Sequence, residues 1–145
     1  MKALIQRVTS ASIVVETCTV GAIERGLLVF IGVEKNDSSI EVDKMINKLL
    51  SYRVFSDLED KMNLSVSDVA GGVLLVSQFT LAADTKSGAR PGFSTAKPPV
   101  EAEILYDYMV ERFKAKHGDV ASGIFGAEMQ VSLVNDGPVT FLLTC

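Results

Sequence analysis

Leu27-Leu28-Val29-Phe30-Ile31-Gly32-Val33 is apolar on both faces. Successive side chains of a strand point to opposite sides, so a run with no polar side is a central strand covered on both. Val73-Leu74-Leu75-Val76-Ser77-Gln78-Phe79-Thr80-Leu81 reads as a second buried strand, with polar groups only in its last third.

On the N-terminal side, Lys2–Val8 and Ser12–Glu16 read as two short strands rich in branched residues, split by Thr9-Ser10-Ala11. A third, Cys18–Ile23, leads to a turn at Glu24-Arg25-Gly26. On the C-terminal side, Glu34–Asp37 is a loop, and Ser38 with Glu41 has the spacing of a capping box. Val42, Met45, Ile46, Leu49 and Leu50 follow at helical spacing, which predicts one amphipathic helix over Ser39–Ser51. Lys44 and Lys48 lie one turn apart on its solvated face. Tyr52–Phe55 reads as a brief strand, Ser56–Asn63 as a polar loop, Leu64–Val66 as another strand and Gly71-Gly72 as a turn.

Pro99 opens a second helix, Val100–His117, whose core stripe holds Ala102, Leu105, Tyr106, Met109, Val110 and Phe113. Lys114, Lys116 and His117 occupy its last turn, where cations meet the helix dipole, and Gly118 stops it. Val120–Phe125, Met129–Val134 and Val139–Leu143 complete the strands. The expected fold is α+β: one domain over residues 1–145, with two main helices against a mixed or antiparallel, barrel-like sheet.

The formal net charge is −4 over 145 residues, which argues mildly against a general coat for nucleic acid. No run of eighteen apolar residues marks a membrane helix. The first residues turn polar too early for a signal peptide. Cys18 and Cys145 form no CxxC pair, so a reducing cytoplasm is the natural setting.

The chemistry on offer is sparse. The one histidine, His117, is accounted for by its place at a helix end, so no Ser-His-Asp or Cys-His device can be assembled. No cluster has metal-ligand spacing, no glycine pattern cradles a nucleotide, and neither metal nor cofactor is called for. Asp57, Glu59 and Asp60 cluster on a surface loop. Ser77, Gln78, Phe79 and Thr80 sit where a buried strand ends. Thr80 or Ser77 as a nucleophile lacks an evident base, and their hydroxyls equally suit satisfying the sheet end. Backbone N–H groups there can hold an oxyanion, a donor worth about 3–4 kcal/mol. The longest irregular stretch, Ala82–Pro99, carries Lys86, Arg90 and Lys97 and no acid after Asp84. It is either a contact for an anion, such as RNA, or a solvated excursion. Asn135-Asp136-Gly137-Pro138-Val139-Thr140 is either a plain turn or a rigid backbone feature aimed at something.

Five motifs coincide: Ser77–Leu81, Asn135–Thr140, Arg90-Pro91-Gly92-Phe93-Ser94, Tyr52-Arg53-Val54-Phe55 and Gly123-Ile124-Phe125-Gly126-Ala127. Together, and along the whole chain, they resemble the bacterial D-aminoacyl-tRNA deacylases, also called D-Tyr-tRNA deacylases. The resemblance implies a homodimer with two active sites at the subunit interface. It implies hydrolysis of the ester joining a D-amino acid to the terminal adenosine of tRNA. It further implies a cis Gly137–Pro138 bond inserted into the partner's site, with Arg7 helping to hold that corner. Backbone groups of the Ser77–Leu81 strand would bind the aminoacyl moiety, and a hydroxyl of the tRNA would drive the reaction. A wall that excludes only an L side chain also predicts some hydrolysis of glycyl-tRNA. The alternatives are a non-catalytic RNA-binding dimer and a hydrolase working through a Thr80 or Ser77 acyl-enzyme.

Overall fold

A computed structural model describes all of residues 1–145. Its strands are β1 (Lys2–Val15), β2 (Cys18–Ile23), β3 (Gly26–Gly32), β4 (Phe55–Ser56), β5 (Met62–Leu64), β6 (Gly72–Ser77), β7 (Val120–Ser122) and β8 (Gln130–Thr144). Its helices are α1 (Ser39–Ser51) and α2 (Pro99–Lys116), with a short 3-10 turn at Phe79–Ala82.

The main sheet runs β2-β1-β3-β6-β7, with β8 on β1. β1 pairs antiparallel with β2, β3 and β8, whereas β3–β6 and β6–β7 are parallel, so the sheet is mixed. Parallel neighbours need crossovers, and α1 and α2 supply them, one for each step. Right-handed crossovers advancing in one direction put both helices on one face. Beneath the helices lies the larger buried cluster, with Leu27, Val29 and Ile31 of β3 against Met45, Leu49, Met109 and Phe113. Leu28 of the same strand faces the other way, into a second cluster with Val8, Ile13, Ile23, Leu74 and Val76 inside the curve of the sheet. The doubly apolar run is therefore a central strand between two buried layers. The sheet nearly closes: a Cβ on Gly21 of β2 would lie 3.0 Å from the Ser122 carbonyl of β7.

Ser38 and Glu41 make the capping box as expected, with the Glu41 carboxylate taking the Ser38 N–H at 2.9 Å. His117 stands just beyond α2 rather than in its last turn.

Several strand readings need correction. Lys2–Val8 and Ser12–Glu16 are one strand. Thr9 and Ser10 look like a break because both are exposed, at the point where β1 passes from pairing with β3 to pairing with β2. Met129–Val134 and Val139–Leu143 are likewise one strand, β8, running through the Gly-Pro corner. The run expected as a strand through Leu81 ends at Ser77, where Gly32 lets the chain turn over the end of β3. A Cβ there would come 2.8 Å from that of Leu81. Tyr52–Phe55, Leu64–Val66 and Val120–Phe125 shrink or shift to β4, β5 and β7. Such short apolar runs fill a core edge without needing a ladder.

Candidate active site

An apolar cavity of about 890 Å3 opens at the C-terminal end of β6. Val76, Ser77, Gln78 and Phe79 form one wall. Phe125, Gly126, Ala127 and Met129 form the opposite wall. Tyr106 and Ala102 of α2 line it from the helix side, and Phe93, Ala96 and Lys97 of the long loop complete it. Its charged residues are Lys35 and Lys97, and no Asp, Glu or His lines it.

The cavity exists because β6 and β7 part company. Their ladder ends at Leu75↔Ser122, and the Gly123 N–H makes the last bond across, to the Leu75 carbonyl at 2.9 Å. The Tyr106 hydroxyl donates to that same carbonyl, also at 2.9 Å. Burial pushes its phenol well above the ordinary value, so it stays protonated and serves as a fixed donor.

Past β6 the Gln78 N–H closes on the Ile31 carbonyl at 2.7 Å, and Leu81 N–H returns to the Gln78 carbonyl at 3.2 Å. The amides of Phe79 and Thr80 thus precede the first bond of the 3-10 turn, where helix N–H groups lack an intrahelical partner. The Thr80 hydroxyl accepts from the Gln78 side-chain amide at 2.6 Å. An amide N–H is a donor and cannot take a proton from Thr80, so this hydroxyl is oriented but not activated.

The long loop is pinned rather than free. Asp84 and Gly92 exchange both backbone bonds, at 2.7 and 2.9 Å. Thr95 donates its hydroxyl to the Ala82 carbonyl, and its own carbonyl receives the Lys35 N–H at 2.9 Å. The loop containing Lys35 is held in turn by the Met1 ammonium, which donates to Glu34 at 2.8 Å and Asp37 at 2.7 Å. Lys97 is mostly buried; its Nζ donates to the Lys35 carbonyl at 2.9 Å and lies 3.6 Å from Glu101. Lys86 and Arg90 are exposed, in the excursion beyond the Asp84–Gly92 clamp. The three cations expected to act together are therefore divided, one built into the cavity wall and two outside it.

Gly137 and Pro138 form a second constellation that does not line the cavity of their own chain. The bond between them is cis. β8 resumes its pairing at Thr140↔Gln6 after Asn135↔Val8, so Asp136–Val139, four residues, stand opposite Arg7 alone and bow out of the ladder. Arg7 braces the bulge. Its Nε donates to the Asp136 carbonyl at 3.0 Å and its Nη1 to the Val54 carbonyl at 2.7 Å. Asn135 Oδ1 accepts the Val139 N–H at 2.8 Å across the base. Arg7, Gly137 and Pro138 are thus brought together, and Ser77, Gln78, Phe79 and Lys97 are brought together elsewhere. Thr80 adjoins that second group without lining the cavity. Tyr106 belongs to the site although its spacing placed it only in a core stripe. A hydroxyl in such a stripe, which must find a buried partner, is the signal that could have marked it.

The family model described as D-Tyr-tRNA(Tyr) deacylase matches residues 4–144. A D-aminoacyl-tRNA deacylase of Saccharophagus degradans is 62% identical over 144 residues, covering 99% of each chain. One of Pseudomonas fluorescens is 63% identical over 143 residues, again covering 99% of each. A solved structure described as c-Myc DNA Unwinding Element Binding Protein superposes with a TM-score of 0.95 at 40% identity, covering 100% of this chain and 99% of that one. Another, described as a probable eukaryotic D-amino acid tRNA deacylase, gives 0.87 at 15% identity over 98% and 97% of the two chains, a likeness of fold.

Proposed function

This chain belongs to the D-Tyr-tRNA(Tyr) deacylase family, and on that premise we propose that it hydrolyses the ester of D-aminoacyl-tRNA, freeing tRNA and the D-amino acid in the cytoplasm. The observation that carries the reading is a cavity beside a row of backbone donors with no acid, imidazole or activated hydroxyl in its wall. Few ester substrates suit so poor a site. An aminoacyl-tRNA does, because the ribose hydroxyl next to its ester is held at high effective molarity. The protein then has to orient the ester and stabilise the oxyanion, for which the amides opening the 3-10 turn serve.

The active unit is a homodimer. β8 pairs on one side only, and its exposed Val134 and Leu142 leave an apolar open edge. Gly137-Pro138 lies away from its own chain's cavity and is braced by Arg7, which suits a corner donated to a partner's site. There it forms the wall that an L side chain would strike. A backbone wall held by several hydrogen bonds cannot rotate aside as a side chain can.

The deciding measurement is release of D-tyrosine from D-Tyr-tRNA set against L-Tyr-tRNA. Hydrolysis of the D form alone is the expected result, and no hydrolysis of either overturns the reading in favour of a nucleic-acid-binding dimer. In the same assay Thr80→Ala should retain activity to within about tenfold, since one oriented hydroxyl is lost and no nucleophile. Abolished turnover in a folded dimer, with a covalent adduct trapped on wild type, would establish the acyl-enzyme route instead. Glycyl-tRNA presents no side chain to exclude. It should be cleaved at enzyme levels that clear D-Tyr-tRNA, and its survival would mean that the pocket requires a side chain.

A further inference from the structure

At the lip of the cavity Phe79 and Phe93 lean on each other, ring centroids 5.1 Å apart and tilted by 45°. They remain 61% and 44% exposed. Two large aromatic rings in contact yet open to water are an unusual surface, and each is held in place. Phe79 begins the 3-10 turn that ends β6. Phe93 follows the paired backbone bonds of Asp84 and Gly92, and its carbonyl accepts the Ala96 N–H at 3.1 Å. The pair is therefore a fixed platform.

Its surroundings name the occupant. Both rings line the apolar cavity, and the chain that runs into Phe93 is the loop excursion carrying exposed Lys86 and Arg90. The lip thus joins an apolar pocket to aromatic faces, and the aromatic faces to a segment bearing cations. A single-stranded nucleic acid has that order when its terminal nucleoside enters the pocket: the next base needs a face to lie on, and the phosphates behind it need positive charge. Base stacking on aromatic side chains tolerates any base, which suits an enzyme acting on many tRNAs.

We propose that the Phe79–Phe93 pair stacks the unpaired base adjoining the terminal adenosine of the substrate tRNA, so that the enzyme reads at least two nucleotides of the 3′ end. The inference rests on the deacylase reading of the cavity. It makes Phe93 a binding residue for RNA that lies outside the reacting ester.

The test compares two substrates: D-Tyr-tRNA, and D-tyrosyl adenosine, which lacks the neighbouring nucleotide. Wild-type enzyme should prefer the tRNA in kcat/KM. Phe93→Ser should reduce that preference about tenfold, mainly through KM, and Phe93→Tyr, which keeps an aromatic face, should restore it. An equal loss on both substrates would overturn the proposal, since Phe93 would then only shape the pocket. So would an unchanged preference, or a variant that no longer sediments as wild type does, which would assign the lip to contact between copies of the chain. Failure of wild-type enzyme on both substrates strikes the deacylase reading itself and is distinguishable from these results.

Discussion

A tRNA ending in 2′-deoxyadenosine and charged with D-tyrosine at the 3′ position is expected to be hydrolysed at least about 10³-fold more slowly than the ribose form, a barrier increase of roughly 4 kcal/mol. The size follows from what the cavity lacks. Its charged groups are two lysines, one of them committed to the Lys35 carbonyl and Glu101. Thr80 receives a hydrogen bond from an amide that cannot act as a base. With no side chain to take up a proton, removing the vicinal hydroxyl removes the one group that an aminoacyl ester brings with it. Binding of the deoxy substrate should persist, because the cavity walls and the Phe79–Phe93 lip do not depend on that hydroxyl, so the loss should fall on kcat. Equal turnover of the two substrates would mean that water is activated by the protein, and the search for a base would have to reopen.

Gly137→Ala should lower discrimination between D- and L-Tyr-tRNA by about 10²-fold while leaving the protein folded. Gly137 has φ +136°, a region that L residues rarely adopt. A Cβ there would also lie 2.8 Å from the Val139 side chain and 3.2 Å from Arg7 Nη2. Strain of this kind costs about 1–3 kcal/mol, which a bulge standing out of an edge strand can relieve by moving. Of the bulge only the half-buried Val139 packs against the core, so global stability should fall little. What changes is the position of the corner, and an ångström there is enough to admit an L side chain. The measurement is the ratio of kcat/KM for the two chiral substrates, with thermal unfolding as the control. A variant that stays folded and keeps its ratio would return Asn135–Thr140 to the status of an ordinary turn.

The layered fold was legible from particular residues. Leu27–Val33 has no polar side and does lie between two buried clusters. Ser38 and Glu41 placed the start of α1. What misled was local polarity within long strands. Thr9-Ser10 and Asn135–Thr140 look like interruptions, yet both belong to strands sustained by each other, a pairing between distant segments that no short window contains. The end of β6 was also hidden. Phe79-Thr80-Leu81 has ordinary strand composition and leaves the sheet because Gly32, on another strand, makes room. For the candidate site, Ser77, Gln78 and Phe79 stood out because polar groups at a buried strand end are conspicuous, and all three line the cavity. Tyr106 was not, because its ring alone explains its place in a core stripe and its hydroxyl's partner is a carbonyl on β6. Lys97 looked like one of three similar cations, and only the folded loop separates it from Lys86 and Arg90.

The pairing of β1 with β8 sets the order in which the molecule can come into being. Its contacts join segments 116 to 142 residues apart, from Val14↔Gln130 at one end to Lys2↔Thr144 at the other. Contacts so distant in sequence slow folding, and during synthesis β1 must wait for nearly the whole chain to emerge. Arg7 waits with it, since its acceptor at Asp136 lies on the last strand. The Gly137–Pro138 corner, the wall of the proposed function, therefore matures in the same late event that completes the sheet. A nascent chain with a half-formed cavity has no β8 to stabilise it, so on the proposed function the capacity to cut esters and the restraint on which esters are cut arrive together.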